Sequence, residues 1–241
     1  MKNDSLESKS LWYKYKTEVW LQNTPEAIAI HNIMRFLRSI HNTKNLAYIS
    51  TPITSSKWFY ERLRENPELN PEKLLKETID NNYSSGCSFL KSLIERTDKQ
   101  IIYPADMVPI GQDWEQTHFQ ALWLSMISEK CSELHMNKDW EYSNGGSEEL
   151  THVVQLRLGI PKHKDILFYN TKGNEATERE RMRNIQVYDC EGKSISLSDS
   201  INSLDKSLSW IKEGNFKPKR LENCRELLEW TGDMIEKGFY Q

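Results

Sequence analysis

Eleven residues, Trp140-Glu141-Tyr142-Ser143-Asn144-Gly145-Gly146-Ser147-Glu148-Glu149-Leu150, bring together the residue types a small-molecule site needs. Ser143 to Ser147 are turn formers and helix N-caps, and the apolar-rich run from Leu150 to Leu158 supplies a helix body. A glycine-rich turn that opens a helix presents unpaired backbone N–H groups, which suit a phosphate or carboxylate. Glu148 and Glu149 then enter the first helical turn. Acids there commonly do no more than complement the helix dipole. A carboxylate that faces a cleft, however, can act as a nucleophile or stabilise a developing cation. Adjacent helical residues point about 100° apart. One of the two can therefore face the cleft while the other is solvated.

Such a turn has to be held by a sheet. Leu46-Ala47-Tyr48-Ile49-Ser50 is a short apolar run that stops at Thr51-Pro52, as a buried parallel strand does. Lys99 to Pro104 reads as a second strand and Cys131 to Met136 as a third, weakened by Glu133 and His135. Ile166 to Tyr169 reads as a fourth. Helical patterns fill the gaps: Trp58 to Ile94, broken around Asn66-Pro67 and Asn70-Pro71 with Ser84-Ser85-Gly86 suggesting a further break, and Asp113 to Ser128. This alternation predicts a doubly wound α/β parallel sheet of Rossmann-like or flavodoxin-like type, with added N- and C-terminal helices. Ligands of such sheets sit beyond the carboxyl ends of the strands. Here those ends carry Ser50-Thr51-Pro52, Pro104-Ala105-Asp106 and the Trp140 to Glu149 loop.

Three regions follow. Residues 1–44 form a helical extension, with residues 1–10 read as disordered and Thr24-Pro25 starting a second helix. Residues 45–170 form the α/β domain. Residues 171–241 hold a linker (171–183), a hairpin of Gln186–Asp189 with Ser194–Leu197, and two helices near Ser198–Glu213 and Arg220–Lys237.

With 37% hydrophobic residues the 241-residue chain can build a core. A net charge of −3, with both signs interspersed, lacks the basic stripe of a nucleic-acid binder. The four cysteines form no C-x-x-C pair, which excludes a zinc ribbon or dithiol redox motif and fits a reducing compartment. No run is long and apolar enough for a membrane span, and the polar Met1 to Ser10 is no signal peptide. These features predict a cytoplasmic protein with no membrane partner. Glu149-x-x-His152 has metal-ligand spacing, but a single copy is weak, and neither metal nor cofactor is expected. Trp114, Trp123 and Trp140 are candidates for stacking a base. Trp140 is favoured because it precedes the loop, whereas Trp123 falls in an amphipathic helix and reads as core. Asp106 and Asp113 are placed to bind a ribose hydroxyl.

Tyr48-Ile49-Ser50-Thr51-Pro52-Ile53 resembles the first-strand signature of the nucleoside 2-deoxyribosyltransferase-like superfamily. The Cys131 to Glu149 segment is similar to its later motif, with Trp140, Ser143, Gly145 and Glu149 at the family spacing. Ile102-Tyr103-Pro104 fits its second strand. The resemblance spans roughly residues 45–170 and is nearest to a phage and bacterial branch. It implies cleavage or transfer at an N-glycosidic bond of a nucleoside, nucleotide or related N-riboside. Glu149 would be the nucleophile and Tyr48 its orienting partner. Ser50, Pro52, Asp106, Trp140, Ser143, Gly145, Gly146 and Ser147 would bind the substrate. It also implies a homo-oligomer in which a neighbouring subunit completes the site, with the aromatic-rich N-terminal helices (Trp12, Tyr13, Tyr15, Trp20) available for self-association. The chain departs from the pattern in having Ser132 where the family has aspartate, Thr51 where it has glycine, and a longer helical insertion between Pro52 and Ile101. Glu133 or Asp106 would have to replace the missing aspartate. The alternative is a module that binds a nucleotide or ADP-ribose-type ligand without cleaving it.

Overall fold

In a computed structural model of the chain, residues 10–40, 46–107, 114–159 and 184–238 are described. Four parallel strands, β1 (Leu46–Ser50), β2 (Gln100–Ile102), β3 (Cys131–Met136) and β4 (Gln186–Tyr188), form one sheet in the order β2-β1-β3-β4. The helices are α1 (Leu11–Tyr15, continued by a π-helical turn over Lys16–Trp20), α2 (Pro25–Ile40), α3 (Lys57–Glu65), α4 (Pro71–Ile94), α5 (Gln116–Lys130), α6 (Asn144–Arg157), α7 (Leu197–Glu213) and α8 (Lys219–Glu236). The doubly wound parallel sheet expected from the alternation of elements is present.

All five residues of β1 are buried, as befits a central parallel strand. Side chains alternate across a strand. Leu46 and Tyr48 accordingly join the main core with α1, α2, α5, α6, α7 and α8, while Ile49 joins a smaller core with Phe89, Leu93 and Tyr103 on the other face. This alternation decides the site, because Tyr48 and Ser50 must face α6.

The chain moves from β1 to β2 on one side and crosses to β3 on the other. The switch point therefore lies beyond Ser50 and Met136, where a ligand crevice belongs. The loop after β3 is drawn in by an Asn137 N–H donating to the Ser50 carbonyl at 2.9 Å.

The described residues bear on three expectations. Among them a further strand, Gln186–Tyr188, joins the sheet beyond residue 170; Ile166–Tyr169, the linker 171–183 and Asp113 lie outside the described residues. The expected hairpin forms around Glu191-Gly192: the Asp189 N–H donates to the Lys193 carbonyl at 2.8 Å and the Ile195 N–H to the Val187 carbonyl at 3.0 Å, with an antiparallel bridge between Tyr188 and Ser194, while the other edge of Gln186–Tyr188 pairs with β3. Finally, α4 runs unbroken through Ser84-Ser85-Gly86. Gly86 is there for close approach: a Cβ would overlap the Tyr103 hydroxyl and stand 2.9 Å from Thr51 Cγ2.

The terminal helices are part of the main core. Tyr15, Val19, Trp20, Leu204, Leu221 and Leu228 are all buried within it. Tyr15 and Trp20 thus face inward and are not free for self-association. Among the described residues no helix is long and apolar enough to cross a membrane, and all four cysteines are free thiols.

Candidate functional site

Helix α6 opens as the residue types predict. Ser143 is its N-cap, with extended backbone, and Ser143 Oγ accepts from the Gly146 N–H at 3.3 Å. The Ser147 N–H donates to the Ser143 carbonyl at 3.0 Å, and Ser147 Oγ donates to the Trp140 carbonyl at 3.3 Å. These bonds fix the turn and take up the N–H groups of Gly146 and Ser147, but not those of Asn144 and Gly145. Of the anion-binding turn expected over Gly145 to Ser147, Ser143 therefore caps the last two residues and the Gly145 N–H remains.

One turn further on, the two glutamates diverge. Glu149 is 6% exposed and points at β1, where the Tyr48 hydroxyl donates to Oε1 at 2.6 Å. Burial raises its pKa to about 7; the Tyr48 hydrogen bond and the neighbouring Ser50 hydroxyl act against that rise, and the Glu148 charge adds to it. Ser50 Oγ favours the carboxylate through proximity, yet its geometry falls short of a hydrogen bond and the atom is buried without a partner. Burial and the Glu149 charge together push the Tyr48 hydroxyl well above its ordinary range, so it stays a donor.

Glu148 is not solvated, contrary to the expectation. It is 1% exposed and is held bidentately by Arg220 (Nε to Oε1 3.1 Å, Nη2 to Oε2 2.6 Å) and by the Tyr15 hydroxyl at 2.6 Å. It ties α6 to α8 and α1.

Glu149 and Tyr48 lie at a partly open cavity of about 440 Å³, within the range of small-molecule sites. Its walls come from the loop after β1 (Thr51 to Thr54), the end of β2 (Tyr103 to Ala105, Met107), α4 (Ile79, Tyr83), α5 (Gln116, Phe119, Gln120, Trp123) and the α6 turn (Ser143, Gly145, Gly146). Two aromatic pairs contribute. Phe119 and Trp123 stack at 6.4 Å and 25°, and Tyr83 and Tyr103 lie 6.3 Å apart at 30°. A larger and more open polar cavity of about 750 Å³ lies across Pro52, lined by Ser56, Lys57, Trp58, Asn82, Asn137 and Lys138 among others. It reaches neither Glu149 nor Tyr48, so the smaller cavity is the stronger candidate.

Of the residues singled out in the sequence, Tyr48, Pro52, Ser143, Gly145, Gly146 and Glu149 line this cavity, while Ser50 lies just behind it. Trp140 and Ser147 do not line it. The Trp140 side chain is packed in the main core, and Trp123, read as core, is the tryptophan that faces the ligand space. The period-3.6 pattern could not show that Trp123 also reaches the cavity, because α5 is buried nearly all round, from Gln120 to Lys130. Asp106 accepts from the Tyr83 hydroxyl at 2.9 Å at the rim and is not a lining residue. Ser132 and Glu133 sit at the opposite, N-terminal end of β3, both receiving Lys99 Nζ (3.0 and 2.6 Å), with Glu133 also bonded to His135 at 2.9 Å. Glu133 therefore does not stand in for the family aspartate. His152 is fully buried and meets Ser128 Oγ at 2.7 Å on the α5 side, and burial lowers its pKa to about 3. Among the described residues no cluster of histidine, cysteine or carboxylate has metal-binding geometry.

Gln120 and Tyr83 were missed by the sequence reading. The only signal for Gln120 was a glutamine inside an apolar helical stretch that otherwise buries only apolar and small residues beside it.

No protein-family model, curated protein or solved structure matches the chain.

Proposed function

We propose that the protein cleaves or transfers the N-glycosidic bond of a nucleoside-type substrate, with Glu149 as nucleophile. The observation that carries this reading is the buried Glu149 carboxylate, hydrogen bonded by Tyr48 at 2.6 Å, at an aromatic-walled cavity. Tyr48 holds Oε1, which leaves Oε2 to attack the anomeric carbon. In the first step the Oε2–C1′ bond forms as the C1′–N bond breaks. The base leaves with the electron pair and takes a proton from water. An oxocarbenium-like transition state gains from the adjacent negative charge in a water-poor site. Water or a second base then attacks C1′, the ester bond breaks and the carboxylate is restored. The resemblance of the Tyr48 to Pro52 and Trp140 to Glu149 segments to the nucleoside 2-deoxyribosyltransferase-like superfamily supports the same assignment.

A second reading, a binding module for a nucleotide or ADP-ribose-type ligand, is favoured by one observation. Glu149 is the only carboxylate among the described residues that line the cavity, whereas glycoside hydrolysis commonly employs two. Incubation with nucleosides, 5′-nucleotides and NAD, read by chromatography for free base, separates the two readings. Base release by the wild type and none by Glu149→Ala supports the enzyme. An intact ligand that raises the melting temperature supports the module.

A further inference from the structure

We infer that the larger, polar cavity is a second binding site, and that it takes an uncharged, sugar-type polyol with hydroxyl groups on neighbouring carbons. The cavity, of about 750 Å³, opens between the loop after β1 (Pro52, Ser56) and the loop after β3 (Asn137 to Asp139). This is the switch point of the sheet, where a crevice lies beyond the carboxyl ends of the strands. Its volume is that of a small-molecule site.

The hydrogen bonds left open on its walls define the ligand. Asn82 is 4% exposed. Its Nδ2 donates to the Ile53 carbonyl at 3.0 Å, which fixes the amide, and its Oδ1 accepts from none of the described residues. Asn137 is 3% exposed. Its Oδ1 accepts from the Lys138 N–H at 2.9 Å, and its Nδ2 gives one of its two hydrogens to Ser85 Oγ at 3.3 Å. The second Asn137 hydrogen and the Ser85 hydroxyl are left to donate. The wall thus presents an open acceptor together with open donors. A hydroxyl group both donates and accepts, so it can meet all of them. A phosphate only accepts and would leave Asn82 Oδ1 unpaired; an ammonium only donates and would face the Asn137 and Ser85 hydrogens. The half-buried Asp139 carboxylate accepts no hydrogen bond among the described residues either, and its two oxygens suit hydroxyls on adjacent carbons. The charges of the lining balance, Lys57 and Lys138 against Glu61 and Asp139, with Lys57 Nζ 3.8 Å from Glu61. No net charge is left to select an ion. Trp58 adds an apolar ring for the C–H side of a sugar.

The test is ligand-observed saturation-transfer NMR with ribose, glucose, myo-inositol and glucose 6-phosphate. A ligand of about a dozen non-hydrogen atoms is expected to dissociate at roughly millimolar concentration. At least one of the three neutral compounds should therefore saturate the wild type. Asp139→Asn, in which asparagine tolerates the left-handed backbone at this position (φ 63°), should weaken that compound about tenfold. Trp58→Ala should weaken it as well, and Glu149→Gln should not. No saturation by any neutral compound at about 50 mM overturns the inference. Tighter binding of glucose 6-phosphate than of glucose overturns the uncharged ligand. Binding that is unchanged in both Asp139→Asn and Trp58→Ala, or is lost in Glu149→Gln, overturns the assignment to this cavity.

Discussion

Replacing Glu149 by glutamine should stabilise the protein, and should do so only where the carboxylate would be charged. Burial raises the Glu149 pKa from 4.5 to about 7. In the unfolded chain it returns to its ordinary value, so between about pH 4.5 and 7 the folded state binds the extra proton. Stability therefore falls as pH rises through that window. A difference of about 2.5 pH units, at about 1.4 kcal/mol each, sets an upper bound of about 3 kcal/mol at pH 8. Glutamine keeps the volume and can still accept from the Tyr48 hydroxyl, but carries no charge to desolvate. For a chain of this size each kcal/mol shifts the melting temperature by about 2–4 °C. The variant should thus melt roughly 6–12 °C above the wild type at pH 8, with the gap nearly closed at pH 4.5. Other titrating groups are common to both proteins and cancel in the difference. The assay is thermal unfolding of both at half-unit pH steps from 4.5 to 8.5. A gap that is flat with pH, or a variant less stable at pH 8, would refute the assignment of Glu149 as a desolvated carboxylate.

Tyr48→Phe removes a bond that favours the charged carboxylate, so the Glu149 pKa should rise by about one to two units above its present value of about 7; infrared titration of the protonated carboxyl band checks this. Arg220→Ala strips Glu148 of its bidentate partner and should cost about 2–4 kcal/mol in chemical denaturation, reduced from the fully buried case because the arginine is 32% exposed. Gly86→Ala should displace the Tyr103 ring at the cavity wall, and ligand affinity should fall about tenfold with a smaller change in melting temperature.

The strands and the N-cap of α6 were legible because they obey local rules: short apolar runs, Ser143 before Asn-Gly-Gly, and helical spacing after Leu150. The crevice rule for parallel sheets brought the end of β1 and the α6 loop to one cleft, whereas the pairing of Tyr48 with Glu149 was implied only by the family resemblance. What failed was what depends on burial from outside. Trp123 packs in the core as expected but also reaches the cavity, which its helical spacing could not show because α5 is buried nearly all round and carries no amphipathic signal, while Trp140 stays in the core. Gln186-Val187-Tyr188 was legible as a hairpin arm, but its place in the parallel sheet was not, because only its pairing with β3 decides that.

The two glutamates show how the terminal helices bear on the site. Glu149 can be held desolvated only if α6 is fixed against β1, since a loose helix would let the carboxylate swing to water and its pKa relax. On the cavity side the Tyr48 bond and the Gln120 bond to the Gly145 carbonyl contribute to that restraint. A stronger restraint comes from another face of the same helical turn, where Glu148 is clamped by Arg220 of α8 and Tyr15 of α1. Helices outside the α/β core thereby hold the charge-bearing turn in register, and the Arg220→Ala change tests this directly. If the clamp positions Glu149, the variant's carboxyl titration moves down from about 7 toward the ordinary range. If the clamp only adds stability, the variant melts earlier but the Glu149 titration stays where it is.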